Sequence, residues 1–314
     1  MASILETRLL TKKFGDQTAV DGVSFQIREG EIFSLLGPNG AGKTTTLSML
    51  STLFPPTSGE AVVCGHQVTS DPMAVRRAIG VVPQEIALYD ELSARENLAF
   101  WGRMYGMGGR ILKERIGEVL ERIGLADRAS ERIKTYSGGM KRRVNIGVGL
   151  LHGPRLLFMD EPTVGIDPQS RRAILDAVKE MNGRGMTVLY TTHYMEEAQE
   201  ISHRVGIMDH GRLIAVGTLE ELTRQVGHND TVTLQVDGEA EASALASALR
   251  GLPGVERADA AEHTVIVATP SAETLLSPAV MKAHELHCRI RSVDIREPNL
   301  ESVFLRLTGR ALRD

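Results

Sequence analysis

The chain has 314 residues, 42% of them apolar and 24% charged, with a formal net charge of −4. This length allows two domains with cores of their own, and the absence of a long basic run argues against nucleic acid as a partner. No apolar stretch approaches the roughly 18–20 residues that span a bilayer. If the protein acts at a membrane, we therefore expect a second polypeptide to cross it.

Short strand-like segments alternate with turns at the start of the chain. Strands are predicted over residues 4–10, 23–27, 31–36 and 60–64, because these mostly apolar runs are separated by turn signals at Gly15-Asp16, Glu29-Gly30 and Pro55-Pro56. A helix is predicted over residues 44–53. The strand at 31–36 and this helix flank the most informative motif of the chain.

That motif reads GPNGAGKTT and fits the phosphate-binding pattern G-x-x-x-x-G-K-[ST]. Its glycines let backbone N–H groups turn toward a polyphosphate, and the helix dipole favours the negative charge. Lys43 would reach the β- and γ-phosphates, and the Thr44 hydroxyl would ligate Mg²⁺. A chance match in a glycine-rich turn is the alternative, which the strand–helix context disfavours. The candidate phosphate contacts are Gly37, Pro38, Asn39, Gly40, Ala41, Gly42, Lys43, Thr44 and Thr45.

Further along, the pattern predicts a helix over 72–78, a strand over 79–83 and mostly helix from about 93 to 151. Strands over 156–160, 187–192 and 205–208 alternate with helices over 170–182 and 195–201. This alternation predicts a largely parallel sheet covered on both faces. The His210-Gly211 turn then predicts a hairpin between 205–208 and 213–216.

The segment RLLFMDEP at 155–162 is an apolar strand that ends in two adjacent acids, Asp160 and Glu161. In enzymes with a phosphate-binding loop, an acid at the tip of a neighbouring strand helps to hold Mg²⁺, and Asp160 fits that role. Glu161 is then placed to polarise a water for in-line attack on the γ-phosphorus. The alternative is a strand end followed by a solvated acidic turn.

With these residues in place, the chain resembles the ATP-binding cassette (ABC) proteins over about residues 4–217. YSGGM at 136–140 is similar to the LSGGQ signature of that family, and Gln84 resembles its Q-loop glutamine. VGIDP at 164–168 resembles the D-loop, with Asp167 as its acid. His193 in YTTHYMEEA resembles the switch histidine, and Phe14 in KKFG resembles the aromatic residue that stacks on adenine.

The resemblance implies a P-loop ATPase core with a mostly parallel sheet, an antiparallel β subdomain and a helical subdomain at about 86–153. It also implies ATP and Mg²⁺ as ligands and a head-to-tail homodimer that traps two ATP molecules. Glu161, His193 and Lys43 would be catalytic, whereas Thr44, Gln84 and Asp160 would approach the metal. Ser137, Gly138 and Gly139 would cap the γ-phosphate of ATP held by the opposite copy.

The signature departs from the family pattern at two positions. Tyr136 replaces the usual leucine and Met140 the usual glutamine, which affects expectations for the partner interface more than for the chemistry. Lys141, Arg142 and Arg143 after it are interpreted as a solvated or ion-paired first helical turn.

Four aromatic residues lie between Gln84 and the signature: Tyr89, Phe100, Trp101 and Tyr105. The alternatives for them are the core or a groove for a coupling helix of a membrane permease. The second alternative follows from the resemblance, since the corresponding subdomain of the family receives such a helix.

A domain boundary is predicted near residues 218–230, dividing a nucleotide-binding domain (1–220) from a small accessory α+β domain (221–314). The predicted order beyond it is strand 231–236, helix 240–249, strands 255–258 and 264–268, helix 272–287 and strand 289–295, which resembles a ferredoxin-like split βαβ unit. A last helix is predicted over 298–307. We expect this domain to stabilise a dimer or to regulate the ATPase.

The ending EPNLESVFLRLTGR resembles the daunorubicin-resistance branch of the family, whose members pair with ABC-2-type permeases. The leading hypothesis is therefore an ATPase subunit that drives export of a small hydrophobic compound or antibiotic. It would lie peripherally on the cytoplasmic face of the inner membrane and bind no nucleic acid. Export of a polysaccharide, lipid or ion, an importer ATPase, and a soluble ABC ATPase remain alternatives.

Overall fold

A computed structural model describes residues 3–226, 230–296 and 299–308. The chain divides into a first unit that reaches Thr218 and a second unit that begins at Leu219.

The first unit opens with β1 (Ser3–Phe14), β2 (Gln17–Val23), β3 (Gln26–Arg28), β4 (Ile32–Leu36), α1 (Lys43–Leu50), β5 (Ser58–Val63), β6 (His66–Gln67), α2 (Pro72–Ala78) and β7 (Ile79–Val82). It continues with α3 (Ala94–Met104), α4 (Gly109–Arg122), α5 (Gly138–Leu150), β8 (Leu156–Asp160), α6 (Pro168–Gly183), β9 (Thr187–Thr192), α7 (Met195–Ile201), β10 (Arg204–Asp209) and β11 (Arg212–Gly217). Short 3₁₀ turns lie at Ala126–Arg128 and Ile133–Thr135.

Two sheets form the framework of this unit. An antiparallel sheet has the order β2-β1-β5-β6, with β3 also paired to β1. The central sheet has the order β11-β10-β4-β9-β8-β7, and its pairs from β10 to β7 are parallel. The antiparallel β10–β11 pair confirms the predicted hairpin.

The central strands are rich in apolar residues, and their polar exceptions are Ser34, Asp160 and the three threonines of β9. Every residue of β4, β8 and β9 is buried, as expected for strands covered on both faces. Parallel strands end at the same edge of a sheet, so the loops after β4, β8 and β9 meet there. In register, Asp160 pairs with Thr191 and Leu36 with Thr192.

The predicted helical region contains α3, α4 and α5, packed around a shared apolar cluster that includes Leu98, Val119 and Val144. A capping box begins α3, because Ser93 Oγ accepts from Glu96 N at 3.2 Å while the Glu96 carboxylate accepts from Ser93 N at 2.8 Å. The fold class of the first unit is thus the one implied by the sequence.

The second unit comprises α8 (Leu219–Val226), β12 (Asp230–Val236), α9 (Glu239–Leu249), β13 (Arg257–Ala261), β14 (Thr264–Thr269), α10 (Ala272–Glu285), β15 (Ile290–Arg296) and α11 (Leu300–Thr308). Its antiparallel sheet has the order β13-β14-β12-β15. This βαββαβ arrangement confirms the ferredoxin-like prediction. Its core joins Leu245 and Leu249 of α9 to Val232, Leu234 and Val267 of the sheet.

Several predicted boundaries were wrong. The predicted strand 23–27 spans the end of β2 and the start of β3, and the predicted strand 255–258 begins at Arg257. The segment predicted as the domain boundary, near residues 218–230, contains α8, where Leu222 is fully buried. Gly227 and Pro298, used to place the boundary and the last helix, lie outside the described residues, and α11 begins at Leu300 after Asn299 accepts from Ser302 N at 3.0 Å.

Candidate functional site

The loop between β4 and α1 forms the floor of a cavity of about 540 Å³. Gly42 begins α1 in the left-handed conformation with φ of 98°, and a Cβ there would lie 2.6 Å from Ala19 O. Only glycine fits such a position, which keeps the loop close to the neighbouring backbone. The cavity is lined by Phe14, Gln17, Thr18, Ala19, Asn39, Gly40, Ala41, Gly42, Lys43, Thr44, Thr45, Gln84, Glu161, His210 and Gly211.

Lys43 and Glu161 form a buried ion pair at the bottom of this cavity. Lys43 Nζ lies 2.9 Å from Glu161 Oε1, with side-chain exposures of 4% and 6%. Lys43 Nζ also donates to Gly37 O at 2.7 Å and to Pro38 O at 3.1 Å. These two loop residues therefore hold the lysine through their carbonyls and do not line the cavity themselves.

The other oxygen of Glu161 contacts His193, as Glu161 Oε2 lies 3.1 Å from His193 Nδ1. The carboxylate is thus held between a lysine and an imidazole. Glu161 also has a φ of 42°, a left-handed conformation that is uncommon for a residue with a side chain. Such strain concentrates at functional positions when the surroundings enforce it.

Asp160 and Thr44 meet beside this pair, since Thr44 Oγ1 donates to Asp160 Oδ1 at 3.1 Å. Thr191 on β9 holds the same oxygen, donating from Oγ1 at 2.6 Å while accepting from Glu161 N at 3.0 Å. Sequence reasoning missed Thr191. The signal available was a hydroxyl at the end of a buried strand, two residues before His193.

The site has the donor types that suit a magnesium ion. The Thr44 hydroxyl, the Asp160 carboxylate and the Gln84 amide all carry oxygen, and Mg²⁺ binds through a few such groups together with substrate phosphates. Thr44 and Gln84 line the cavity, and Asp160 touches Thr44. The residues present therefore fit a magnesium-bound nucleotide.

Phe14 lies at the open end of the cavity with its side chain half exposed. Its ring packs edge-on against Phe54 with centroids 5.6 Å apart, and Lys12 Nζ lies 5.1 Å from its centroid. The ring is therefore exposed and does not belong to the core. An exposed face is what stacking on a base requires.

Ser137, Gly138 and Gly139 begin α5 away from this cavity, and none of them lines it. Ser137 caps the helix by accepting from Met140 N at 3.3 Å. A Cβ at Gly139 would lie 2.1 Å from Ser170 Oγ, so glycine is required where α5 approaches α6.

Asp167 is likewise outside the cavity and caps α6, accepting from Ser170 N at 2.9 Å. The hydrogen bonds from Ser170 lower the pKa of this carboxyl. The candidate residues of the first unit thus form two groups, one around Lys43 and one at the starts of α5 and α6.

The structure gives the unusual signature residues a role within the first unit. Tyr136 is buried and its hydroxyl donates to Arg128 O at 2.6 Å, while Arg128 Nη1 approaches Met140 Sδ at 3.5 Å. Both residues therefore anchor the signature turn to the segment around Arg128.

The interpretation of residues 141–143 as a solvated turn was wrong for Arg142. Lys141 does pair with Asp90 at 2.7 Å, but the Arg142 side chain is buried. Arg142 donates to Pro83 O at 2.8 Å and to Gln84 O at 2.6 Å. Its position on the inner face of α5 explains the difference, because backbone carbonyls of the Gln84 segment need donors there.

Across the described ranges, no helix is long and apolar enough to cross a membrane.

A phosphate-binding loop, a second strand with paired acids and a parallel sheet define a P-loop nucleotide hydrolase.

The comparisons narrow this class to one family. The family described as ABC transporter matches residues 20–164. The linearmycin resistance ATP-binding protein LnrL of Bacillus subtilis strain 168 is 47% identical over 313 residues, covering 99% of this chain and 100% of the relative. The daunorubicin/doxorubicin resistance ATP-binding protein DrrA of Streptomyces peucetius is 38% identical, covering 99% and 94%. The Nod factor export ATP-binding protein I of Ralstonia nicotianae is also 38% identical, covering 99% and 95%.

Solved structures of ATP-binding cassettes are also similar to this chain. An ATP-binding subunit of an ABC transporter matches with a TM-score of 0.64 and 32% identity, covering 71% of this chain and 93% of that chain. A dimeric ATP-binding cassette in a post-hydrolysis state with ADP and phosphate matches with a TM-score of 0.62 and 28% identity, covering 68% and 98%.

The chain belongs to the ABC transporter family and is an ATP-hydrolysing subunit of it. Subunits of this family bind nucleotide, dimerise and work with membrane permeases.

Proposed function

We propose that this ATPase drives export of a small hydrophobic compound or antibiotic through a separate integral-membrane permease of the ABC-2 type. The relatives named for linearmycin and daunorubicin resistance support this cargo class, because each aligns over nearly the whole chain. The subunit would lie peripherally on the cytoplasmic face of the inner membrane. Cys64 and Cys288 are free and buried thiols, which suits a reducing compartment.

The observation that carries the chemistry is the Glu161 carboxylate, held between Lys43 and His193. In the proposed site, Glu161 polarises the attacking water, and His193 contacts the γ-phosphate and orients Glu161. Lys43 exchanges its contacts with the loop carbonyls for the β- and γ-phosphates. These groups position charge and water, which is most of what phosphoryl transfer needs.

The remaining nucleotide contacts are proposed from the cavity lining. Phe14 stacks on adenine, and the backbone of residues 39–45 surrounds the phosphates. Thr44, Gln84 and Asp160 would hold Mg²⁺, which would neutralise charge on the phosphate oxygens.

We propose a homodimer because Ser137, Gly138 and Gly139 lie outside the cavity that holds Lys43. Their helix N-terminus suits an anion, so the turn of one copy would cap the γ-phosphate held by the other. Asp167 would lie at the same interface, since it begins the helix against which Gly139 packs.

The permease surface is proposed around α3. Tyr89 and Tyr105 are 49% and 42% exposed, and Met104 is 67% exposed. Phe100 packs edge-on against Tyr89 at 4.9 Å, whereas Trp101 packs against the helical core. Exposed aromatic side chains are frequent anchors of protein interfaces, so this patch suits a short helix of the permease.

The chemistry is tested by Glu161→Gln. Replacing the base should lower the rate of ATP hydrolysis by about 10²–10⁴-fold while ATP still binds. Steady-state phosphate release and nucleotide binding measure the two effects, and the exposed Glu60→Gln serves as a matched control. Normal turnover in Glu161→Gln refutes the assigned base.

A second candidate cargo is a lipid or polysaccharide, since a relative named for Nod factor export aligns over 99% of the chain. Co-purification with the membrane protein encoded by a neighbouring gene provides the complex for testing. Stimulation of its ATPase by a hydrophobic antibiotic supports drug export. Stimulation by glycolipid alone supports the second candidate.

A further inference from the structure

A second buried carboxylate, that of Glu197 on α7, lies in the first unit with its side chain only 2% exposed. Thr163 Oγ1 donates to Glu197 Oε1 at 2.6 Å. Tyr190 OH and Thr192 Oγ1 donate to Glu197 Oε2 at 2.8 Å and 3.0 Å. Hydroxyl groups therefore engage both oxygens of this carboxylate.

The donors come from the two segments that carry the Glu161–His193 pair. Thr163 follows Glu161 by two residues, and Thr192 immediately precedes His193. Glu197 thus fixes the chain on both sides of the contact between Glu161 Oε2 and His193 Nδ1, which is 3.1 Å long.

A third segment reaches the same carboxylate. Arg171 on α6 places Nε 3.5 Å from Glu197 Oε1 and its guanidinium 4.3 Å from the centroid of the Tyr194 ring. Tyr194 N in turn donates to Thr192 Oγ1 at 2.9 Å. The helix that begins at Asp167 is therefore tied to the loop that carries the switch histidine.

Packing alone does not explain a carboxylate at this place. Burying a charge is unfavourable unless it is paired and hydrogen-bonded, and an apolar side chain would fill the space without that penalty. An ionised carboxylate accepts only, so the hydroxyls of Thr163 and Thr192 are forced to point toward it. Burial raises the pKa of the Tyr190 hydroxyl well above its usual range, which keeps Tyr190 a donor.

We propose that Glu197 is a positioning residue for ATP hydrolysis, which holds Glu161 and His193 in contact through Thr163 and Thr192. This inference rests on the proposed roles of Glu161 and His193. It goes beyond them because the polar partners of Glu197 are Thr163, Tyr190, Thr192 and Arg171, and Glu197 does not line the nucleotide cavity.

The test is Glu197→Gln, which keeps the size of the side chain. Misplacing reacting groups by a fraction of an ångström lowers turnover, so we expect kcat to fall about 10-fold to 100-fold. The KM for ATP should stay within about twofold, since the phosphate loop is unchanged. Phosphate release is measured over a range of ATP concentrations, well below the melting temperature of every variant.

Glu31→Gln is the matched control. Glu31 is also buried, accepts from Arg28 N at 2.7 Å and pairs with Arg204 at 3.2 Å, but it lies at the opposite end of β4 from the phosphate loop. It should lose stability while keeping the kcat of the wild type. Equal kcat values for Glu197→Gln and Glu31→Gln overturn the proposal.

If Glu197→Gln does not fold, Thr192→Val removes one hydroxyl and leaves the carboxylate in place. A fall in kcat of about 3-fold to 10-fold without a change in KM is then expected, and a wild-type kcat overturns the proposal. Glu161→Gln in the same assay distinguishes failure of the proposed function from failure of the proposed role of Glu197. Its normal turnover removes the proposed function, whereas its inactivity beside a fully active Glu197→Gln removes only the role of Glu197.

Discussion

The two units of the chain are built on different kinds of interior. All six buried charged side chains in the described parts of the chain belong to the first unit: Glu31, Lys43, Arg142, Asp160, Glu161 and Glu197. In the described part of the second unit, Thr269 is the single buried polar side chain. The core of that unit consists of aliphatic residues of α9, α10 and the antiparallel sheet.

The difference shows where the molecule accepts unfavourable burial for the sake of chemistry. Buried charges are expensive unless they are paired or hydrogen-bonded. Four of the six are paired or hydrogen-bonded around the ends of β4, β8 and β9, namely Lys43, Asp160, Glu161 and Glu197. The second unit, by contrast, has an apolar interior packed against its antiparallel sheet. We therefore expect substitutions in its core to act on stability and not on the chemical step.

The largest effect on stability is expected for a substitution in the core of the second unit. Leu245→Ala removes a fully buried side chain from α9 and should lower the free energy of unfolding of that unit by about 2–5 kcal/mol. The exposed Leu305→Ala, with 49% exposure, should stay within about 0.5 kcal/mol. Hydrogen exchange of residues 230–296 measures both.

The ATP hydrolysis rate of Leu245→Ala tests whether the second unit takes part in the chemical step. If the ATP hydrolysis rate of Leu245→Ala falls as far as that of Glu161→Gln while the first unit stays protected from exchange, the second unit takes part in catalysis. An unchanged hydrolysis rate in Leu245→Ala supports the division of the chain into a catalytic unit and an accessory unit.

An intermediate effect is expected at Arg142 in the first unit. Arg142→Met removes the donor from Gln84 O and leaves Pro83 O with the longer bond from Asn145 Nδ2 at 3.4 Å, which should reduce the free energy of unfolding by about 1–3 kcal/mol. Amide exchange of residues 84–88 should become faster, because the segment that carries Gln84 is then held to α5 by Asn145 without the two bonds from Arg142. Chemical denaturation and exchange mass spectrometry measure the two effects.

Arg143→Met is the matched control for this prediction. Arg143 donates to Ile123 O at 3.0 Å, so its loss should leave exchange at residues 84–88 unchanged. Equal exchange in both variants contradicts the assigned role of Arg142.

How much of this could be predicted from sequence depends on whether the signal is local. The phosphate loop, Asp160 and the hairpin at His210 were predictable because each is marked by a short run of residue types. The ferredoxin-like order was also predictable, since its strands and helices follow one another without insertion.

Contacts between distant segments were not predictable in the same way. Thr191 reaches Asp160 because β9 lies beside β8, and Glu197 collects hydroxyls from three separate positions. Arg142 looked solvated because its neighbours Lys141 and Arg143 are also basic. Only the rotation of α5 decides which of the three faces the Gln84 segment.

The smallest expected effect is a loss of stability of the first unit at acidic pH. His152 follows α5, its ring stacks on Tyr105 with centroids 4.0 Å apart, and its Nε2 lies 2.8 Å from Ile79 O. Burial lowers the pKa of this imidazole, against the opposing effect of the bond to Ile79 and with the help of the nearby Arg115 charge. The folded state therefore binds a proton less readily than the unfolded chain.

The sign follows from proton linkage. The stability that His152 contributes is fully present above the unfolded pKa of about 6.5 and is lost as pH falls through that value toward the folded pKa. Between pH 7.5 and 5.5 the wild type should therefore lose more stability than His152→Gln, by up to about 1 kcal/mol. Urea denaturation followed by the fluorescence of Trp101, the one tryptophan in the sequence, reports this difference. Parallel losses of stability in the two proteins would contradict the assigned role of His152 and place the acid sensitivity in other residues.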